Sequence, residues 1–366
     1  MRIKKWIRNI VGEEKWLDLI WWKRYFFSLF RTSPLDKKLK KKPKILLLGV
    51  ADYANLGDQA IGYAQRRFLD KLVSGRCNVP IIEVGSSVPI RFVYQIISRD
   101  DIIVFTGGGN LGNKYTLLHD IFLPVIKKFP KNEKIFFPQS YTFTDGKNNL
   151  NYIKKVFSKS GDKLTIVARE TKSLGLFQDI FPQNNILLTP DIVLSLDERR
   201  KNNSRDGILM MMRDESEKIL NPNVQNQLKD YLKNIGYNVT LQQDYSEYAT
   251  QVNIRYGELT KQWDKIRSSK LVITDRLHGM IFSQITGTPC LVFDNYNSKI
   301  KLTYKNWLAK SENIVFVDPR LNPDVDWLVE KAQQLIDSHD SHTNLANEYM
   351  PLVNKLQFLV TKLTGR

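Results

Sequence analysis

The amino-acid sequence predicts an α/β protein built from two Rossmann-like halves facing a cleft. Three observations carry that expectation. Short apolar runs alternate with amphipathic stretches, a polar stretch then interrupts the pattern, and the alternation begins again. With 366 residues the chain is long enough for two domains with full cores.

The first series of expected strands is Ile45–Val50, Pro80–Val84, Asp101–Phe105, Lys134–Pro138, Leu164–Ala168 and Asn185–Leu188. Helical patterns at Asp58–Leu72, Leu117–Phe129 and Asn148–Ser158 lie between them, as parallel βαβ units require. The segment Asp197–Asp206 (DERRKNNSRD) reads as a linker. The second series is Gly207–Met212, Asn238–Gln242, Lys270–Thr274, Cys290–Asp294 and Ile314–Val317, and Asp324 to Leu363 reads as two further helices. The expected organisation is therefore a first domain over 45–196 and a second over 207–366, preceded by a distinct segment 1–44.

Composition narrows the class. At 42% hydrophobic and 25% charged residues the chain is globular, and it has no apolar run of the ~18 residues that a spanning helix needs. Charges at Glu13, Glu14, Lys15 and Asp18 fall where a signal peptide would need its apolar core. Cys77 and Cys290 are too few for a disulfide framework or a cysteine zinc site, which suits the cytoplasm.

The formal charge of +17 is unevenly spread, because residues 1–44 hold 14 Lys/Arg against 4 Asp/Glu. Four of the seven Trp (Trp6, Trp16, Trp21 and Trp22) share that segment with Tyr25, Phe26, Phe27 and Phe30. Cations mixed with interfacial aromatics suit a helix lying on an anionic membrane surface. A helix packed on the body of the protein with its aromatics buried is the alternative, and nucleic acid is not an expected partner.

The chemistry-bearing motifs fall at expected strand ends, where ligands of such sheets gather. Gly49 to Ala60 (GVADYANLGDQA) joins the first strand to the first helix, and its glycines let backbone N–H groups approach an anion. It lacks the G-x-G-x-x-G spacing of a dinucleotide site. Asp58 either caps the helix or works on an acceptor hydroxyl, and Asn55 is a candidate acceptor contact. Thr106 to Asn113 (TGGGNLGN) places Gly108, Gly109 and Asn110 where a ligand can come close to the backbone, a tight turn being the alternative. Gln139 and Ser140 follow another strand and offer hydrogen bonds to a sugar or carboxylate; Arg169 and Glu170 occupy the equivalent position after the next.

Thr274-Asp275-Arg276-Leu277-His278-Gly279 is the sharpest element, expected between a strand and the helix Met280–Ile285. Arg276 offers planar, bidentate contacts to carboxylate or phosphate, and His278 can titrate near neutrality. Asp275 is a candidate assistant to His278. Lys299 and Lys301 add cations after the next strand, with Arg213 as a further one. His119 reads as structural, and His339 and His342 as surface.

Taken in order, Asn55–Asp58, Gly107–Asn110, Pro138–Ser140, Ala168–Glu170, Pro190–Ile192, Arg276–Gly279, Gly287–Pro289 and Asp294–Lys299 resemble the polysaccharide pyruvyl transferase family over roughly residues 45–310. Gln59 departs from the Glu that many members carry. The resemblance implies a fold similar to the two-domain (GT-B-like) glycosyltransferases, phosphoenolpyruvate as donor, and no metal or other cofactor. It implies a sugar acceptor, expected here to be a lipid-linked exopolysaccharide or capsule precursor, while the inner face of the cytoplasmic membrane is expected from the basic, aromatic segment 1–44 alone. On that reading His278, Asp275 and Asp58 do the acid/base work. Arg169, Arg213, Arg276 and Lys299 hold the donor with the glycine loop, and Asn55, Gln139 and Ser140 meet the acceptor. A sugar-nucleotide glycosyltransferase of the same architecture and a non-catalytic scaffold are the competing readings.

Overall fold

The run Ile-Leu-Leu-Leu-Gly-Val has no polar face, so it suits only a strand covered on both sides. In the computed structural model it forms β1 (Ile45–Val50), buried along its whole length. The structure describes residues 32–74, 78–112, 116–143, 147–200, 204–213, 218–242, 251–338 and 343–365. The expected membrane segment thus lies, over residues 1–31, outside the described residues, as do Cys77, Asn113, His339 and His342. No described helix is long and apolar enough to cross a membrane.

The first sheet is six-stranded and parallel, in the order β2-β1-β3-β4-β5-β6. Its further strands are β2 (Ile81–Gly85), β3 (Ile102–Phe105), β4 (Lys134–Gln139), β5 (Leu164–Ala168) and β6 (Asn185–Leu188). The connecting helices are α1 (Leu56–Val73), α2 (Ile90–Ile96), α3 (Leu123–Lys128), α4 (Lys147–Ser158) and α5 (Thr171–Ile180). The expected single helix over Leu117–Phe129 in fact opens with a π-helical turn, Leu118–Phe122, ahead of α3. A ladder of rings fills the core: Phe105 lies 4.6 Å from Phe136, which lies 5.3 Å from Phe122 and 5.8 Å from Phe157. Such pairs add about 0.5–1.5 kcal/mol each beyond their burial.

The second sheet is five-stranded and parallel, in the order β11-β10-β9-β7-β8. Its strands are β7 (Ile208–Met211), β8 (Val239–Leu241), β9 (Leu271–Thr274), β10 (Cys290–Phe293) and β11 (Ile314–Val317). They alternate with α6 (Pro222–Asn234), α7 (Arg255–Arg267), α8 (Leu277–Thr286) and α9 (Lys299–Thr303), and α10 (Val325–Ile336) follows β11. The strand order reverses between β1 and β3 in the first sheet and between β7 and β9 in the second. Each unit is therefore Rossmann-like, as the alternation predicted, and each has one topological switch point.

The grouping of residues differs from the contiguous halves 45–196 and 207–366. The first unit takes residues up to Asp52, Gln65–Thr189 and Met350 onward, and the second takes Tyr53–Ala64 and Pro190–Tyr349. The last helix, α11 (Met350–Thr364), belongs with the first sheet because its apolar face packs beside the edge strand β6 and Lys362 reaches Glu133 at 2.9 Å. The expected linker is docked on the second unit: Glu198 N–H donates to the Ile285 carbonyl at 2.9 Å, and Arg205 donates to that of Gly287 at 2.6 Å.

Candidate active site

In the second unit the switch point falls where β7 and β9 end, and the Thr274–Gly279 element is built there. Thr274 Oγ1 donates to the Met211 carbonyl at 2.8 Å and accepts from Arg276 N–H at 3.1 Å, tying the two strand ends together. Arg276 keeps extended backbone (φ −107°, ψ 131°) and is the N-cap of α8, so Leu277 and His278 are in the first helical turn. This corrects the expected helix start at Met280: Gly279 does not break the helix. Its hydrogen faces Thr274, whose Oγ1 would lie 2.5 Å from a Cβ placed there.

Asp275 is almost completely buried. Its Oδ1 accepts from the Arg213 N–H at 2.8 Å, while Oδ2 is buried with no hydrogen-bond partner among the described residues. Burial pushes this carboxyl above its ordinary value, against the pull of the Arg213 N–H and the charges of Arg213, Arg276 and Lys218. A carboxyl so placed holds its proton longer than a solvated one. The structure thus brings Asp275, Arg276 and Arg213 together at one sheet end, with His278 one step into α8.

The start of α1 joins this group. Asn55 Oδ1 accepts from Asp58 N–H at 3.1 Å, so Asn55 is the cap and Asp58 lies inside the first turn. The capping residue is thus Asn55 and not Asp58, and the Asn55 side-chain oxygen is used by the helix. Tyr53 Oη donates to Asp58 Oδ2 at 2.9 Å. Gly57, between them, lies directly against the His278 imidazole, and the Phe282 ring is 5.9 Å from that ring.

In the first unit the glycine loop is knitted to the end of β4. Gly108 has φ +103°, a conformation that glycine adopts at little cost, and its N–H donates to the Pro138 carbonyl at 2.9 Å. The Gly109 carbonyl accepts from Thr142 Oγ1 at 2.9 Å, and Asn110 Nδ2 donates to the Gly107 carbonyl at 2.9 Å. Gln139 is fully buried. Its Oε1 accepts from the N–H groups of Asn110 and Leu111, and its Nε2 donates to the Thr106 carbonyl at 2.5 Å. Gln139 is therefore a brace for the loop, a correction to its reading as an acceptor contact. Ser140 is likewise buried, and its Oγ accepts from Arg169 Nε at 2.6 Å. That bond orients the guanidinium at the end of β5. Glu170 accepts from Ser173 Oγ, which accepts from Tyr141 N–H at 2.7 Å.

Lys299 opens α9 beyond the end of β10, its N–H donating to Asn297 Oδ1 at 3.3 Å. Lys301 is engaged by Asp318 at 2.9 Å. Sequence reasoning missed Arg320. Its guanidinium reaches Asp294 at 2.8 Å, Asp318 at 2.9 Å and the Asn295 carbonyl at 3.0 Å, clamping the loop after β10. The Asp318-Pro319-Arg320 run after β11 is the only signal that could have found it. Burial raises the Asp318 carboxyl, but hydrogen bonds from Lys301 and Arg320 outweigh it and hold the group below the usual range. Lys134, pushed down to about 7 by burial, sits at the opposite end of β4 and donates to the Phe129 and Pro130 carbonyls, so its shift marks a structural role.

A family profile described as polysaccharide pyruvyl transferase matches residues 55–298. General stress protein 30 of Bacillus subtilis is 36% identical, the match covering 86% of this chain and 92% of that protein. Pyruvyl transferase 1 of Schizosaccharomyces pombe is 28% identical, covering 72% and 70%. A crystal structure of a Klebsiella pneumoniae protein shares the fold with a TM-score of 0.51 at 20% identity, covering 77% of this chain and 95% of that one.

Proposed function

The chain belongs to the polysaccharide pyruvyl transferase family, and on that premise we propose that it moves the pyruvyl skeleton of phosphoenolpyruvate onto a sugar diol as a cyclic ketal, with release of phosphate. The observation that carries this reading is the end of β9, where a buried carboxyl, a guanidinium and an imidazole fall within four residues.

Phosphoenolpyruvate presents a carboxylate and a phosphate, which call for several fixed cations. Arg276, Arg213, Lys299 and Arg169 are assigned that task, with Gly108, Gly109 and Asn110 lending backbone approach. His278 gives a proton to the C3 methylene, and C2 becomes oxocarbenium-like. One sugar hydroxyl adds to C2 and loses its proton. The bond from C2 to the phosphate oxygen then breaks, and the second hydroxyl closes the ring with loss of its own proton. Of the two hydroxyl protons, one restores His278 and the other leaves with phosphate. Asp275 and Asp58 assist these transfers, and Arg276 stabilises the departing anion.

The acceptor in this proposal is a lipid-linked exopolysaccharide or capsule precursor. The basic, aromatic N-terminal segment would hold the enzyme at the inner face of the cytoplasmic membrane. The test is incubation with phosphoenolpyruvate and a panel of lipid-linked oligosaccharides, following phosphate release and product mass. Phosphoenolpyruvate should also raise the thermal midpoint, as a ligand of the native state does. A midpoint raised by sugar nucleotides and unmoved by phosphoenolpyruvate would transfer the assignment to a glycosyltransferase.

A further inference from the structure

Gly57 occupies the second position of α1 with ordinary helical backbone, so chain geometry does not call for glycine there. Helix propensity favours alanine at such a position. What excludes a side chain is His278. A Cβ on Gly57 would fall 2.3 Å from His278 Nδ1, 2.8 Å from Cγ and 3.0 Å from Cε1. Three ring atoms therefore lie where one methyl group would be. The imidazole cannot retreat with its backbone, because the start of α8 is fixed by Thr274 and by the Asp275 bond to Arg213. Only rotation of the ring itself would make room.

We infer that Gly57 is a positioning residue whose missing side chain sets the orientation of the His278 imidazole. The first loop then divides its labour by residue: Asn55 caps α1, Gly57 seats the ring, and Tyr53 holds Asp58. The three heavy atoms nearest a methyl group at Gly57 all belong to that ring, so the ring is what the methyl group displaces. The kinetic consequence rests on the catalytic role proposed for His278, whereas the displacement does not.

Gly57→Ala, His278→Ala and the double variant test this. The chain has four histidines, so the imidazole Cε1–H NMR signal of His278 is assigned by its loss in His278→Ala. Gly57→Ala should shift that signal and leave those of His119, His339 and His342 in place. Turnover with phosphoenolpyruvate should fall by about 10²-fold, the scale of a 1 Å misplacement, without a comparable loss of donor affinity. In the His278→Ala background, Gly57→Ala should not change turnover further and should leave the thermal midpoint level or higher, alanine being the better helix former. An unmoved His278 signal would overturn the inference, as would a loss of midpoint equally large in both backgrounds. If Gly57→Ala does not fold, a folded double variant supports the inference and an unfolded one refutes it. A shifted signal in an enzyme that releases no phosphate from phosphoenolpyruvate would count against the proposed function and leave the positioning role standing.

Discussion

Arg276 and His278 stand two residues apart on different structural footings. Arg276 has extended backbone at the N-cap position of α8, whereas His278 is fixed within the first turn. Different footings suit different tasks. Arg276→Lys should lose donor affinity although the charge is kept, because an ammonium cannot reproduce the bidentate fork. His278→Ala should largely spare donor binding and lower turnover by roughly 10²-fold or more, as removal of a general acid/base does. Calorimetric titration with phosphoenolpyruvate alongside steady-state kinetics separates the two, and near-normal turnover of His278→Ala would move the assignment to Asp58 or Asp275. Asp275 itself has a raised value in the folded chain, so ionising it costs the native state more than the unfolded one. Its contribution to stability is present below the ordinary carboxylate value of about 4 and is lost as pH rises through the raised value. Asp275→Asn, which never ionises, should therefore melt above the wild type at pH 7 while losing turnover, and the gap in midpoint should close as pH falls. A gap that is constant with pH would show that Asp275 does not titrate in this way.

Among the elements, α11 shows how a helix is held by its apolar face. Leu352, Leu356 and Leu359 are buried while Phe358 on the other side is exposed, and the helix covers the edge strand β6. Leu356→Ala should cost about 2–5 kcal/mol in chemical denaturation through the cavity it leaves. Lys362→Ala, which removes a solvent-screened pair with Glu133, should cost under about 1 kcal/mol. Equal costs would mean that charge, not burial, seats the helix. The apolar stripe of α11 was legible in the sequence, but which sheet it covers was not, because nothing local distinguishes one strand edge from another. The same limit applies to Tyr53–Ala64, whose grouping with the second unit depends on contacts far along the chain, such as Tyr63 with Tyr256 and Trp263. The strands β1, β3, β5, β9 and β10 were legible because short runs that are almost wholly apolar have no exposed face to offer. Helix starts were less so. Asn55 and Asp58 are both good caps, and the choice between them is made by backbone geometry three residues apart. Gln139 read as an acceptor contact beside Ser140, and only the glycine loop folding onto it shows why both ends of that amide are used internally. Arg320 was marked only by its short run with Asp318, since its other partners Asp294 and Asn295 are distant in sequence.

For the whole molecule the question is where its excess positive charge goes. Part of the expected segment 1–44 is described: Leu35 and Leu39 pack against the first core, so residues 32–44 are seated on the first unit. Lys44 is buried in an ion pair with Asp101 at 2.7 Å and cannot meet a membrane. The other lysines of the cluster, Lys37, Lys38, Lys40, Lys41 and Lys42, are exposed and follow directly on the aromatic residues 1–31. A basic residue near an anionic surface contributes about 1 kcal/mol, and the attraction decays over a Debye length of about 8 Å at physiological salt. Replacing these five lysines with glutamine should therefore weaken binding to phosphatidylserine vesicles by at least 10-fold in a flotation assay, if only two of them engage the surface. Raising the salt should weaken the wild type more than the variant. The fold should not suffer, because none of the five side chains is buried, so the thermal midpoint should stay within about 2 °C of the wild type. The aromatic rings need no charge to reach the interface, and residual binding by the glutamine variant would measure their share. Equal flotation of both proteins with neutral and anionic vesicles would remove the electrostatic half of the proposal. Failure of the wild type to float at all would remove the membrane from the account of this enzyme.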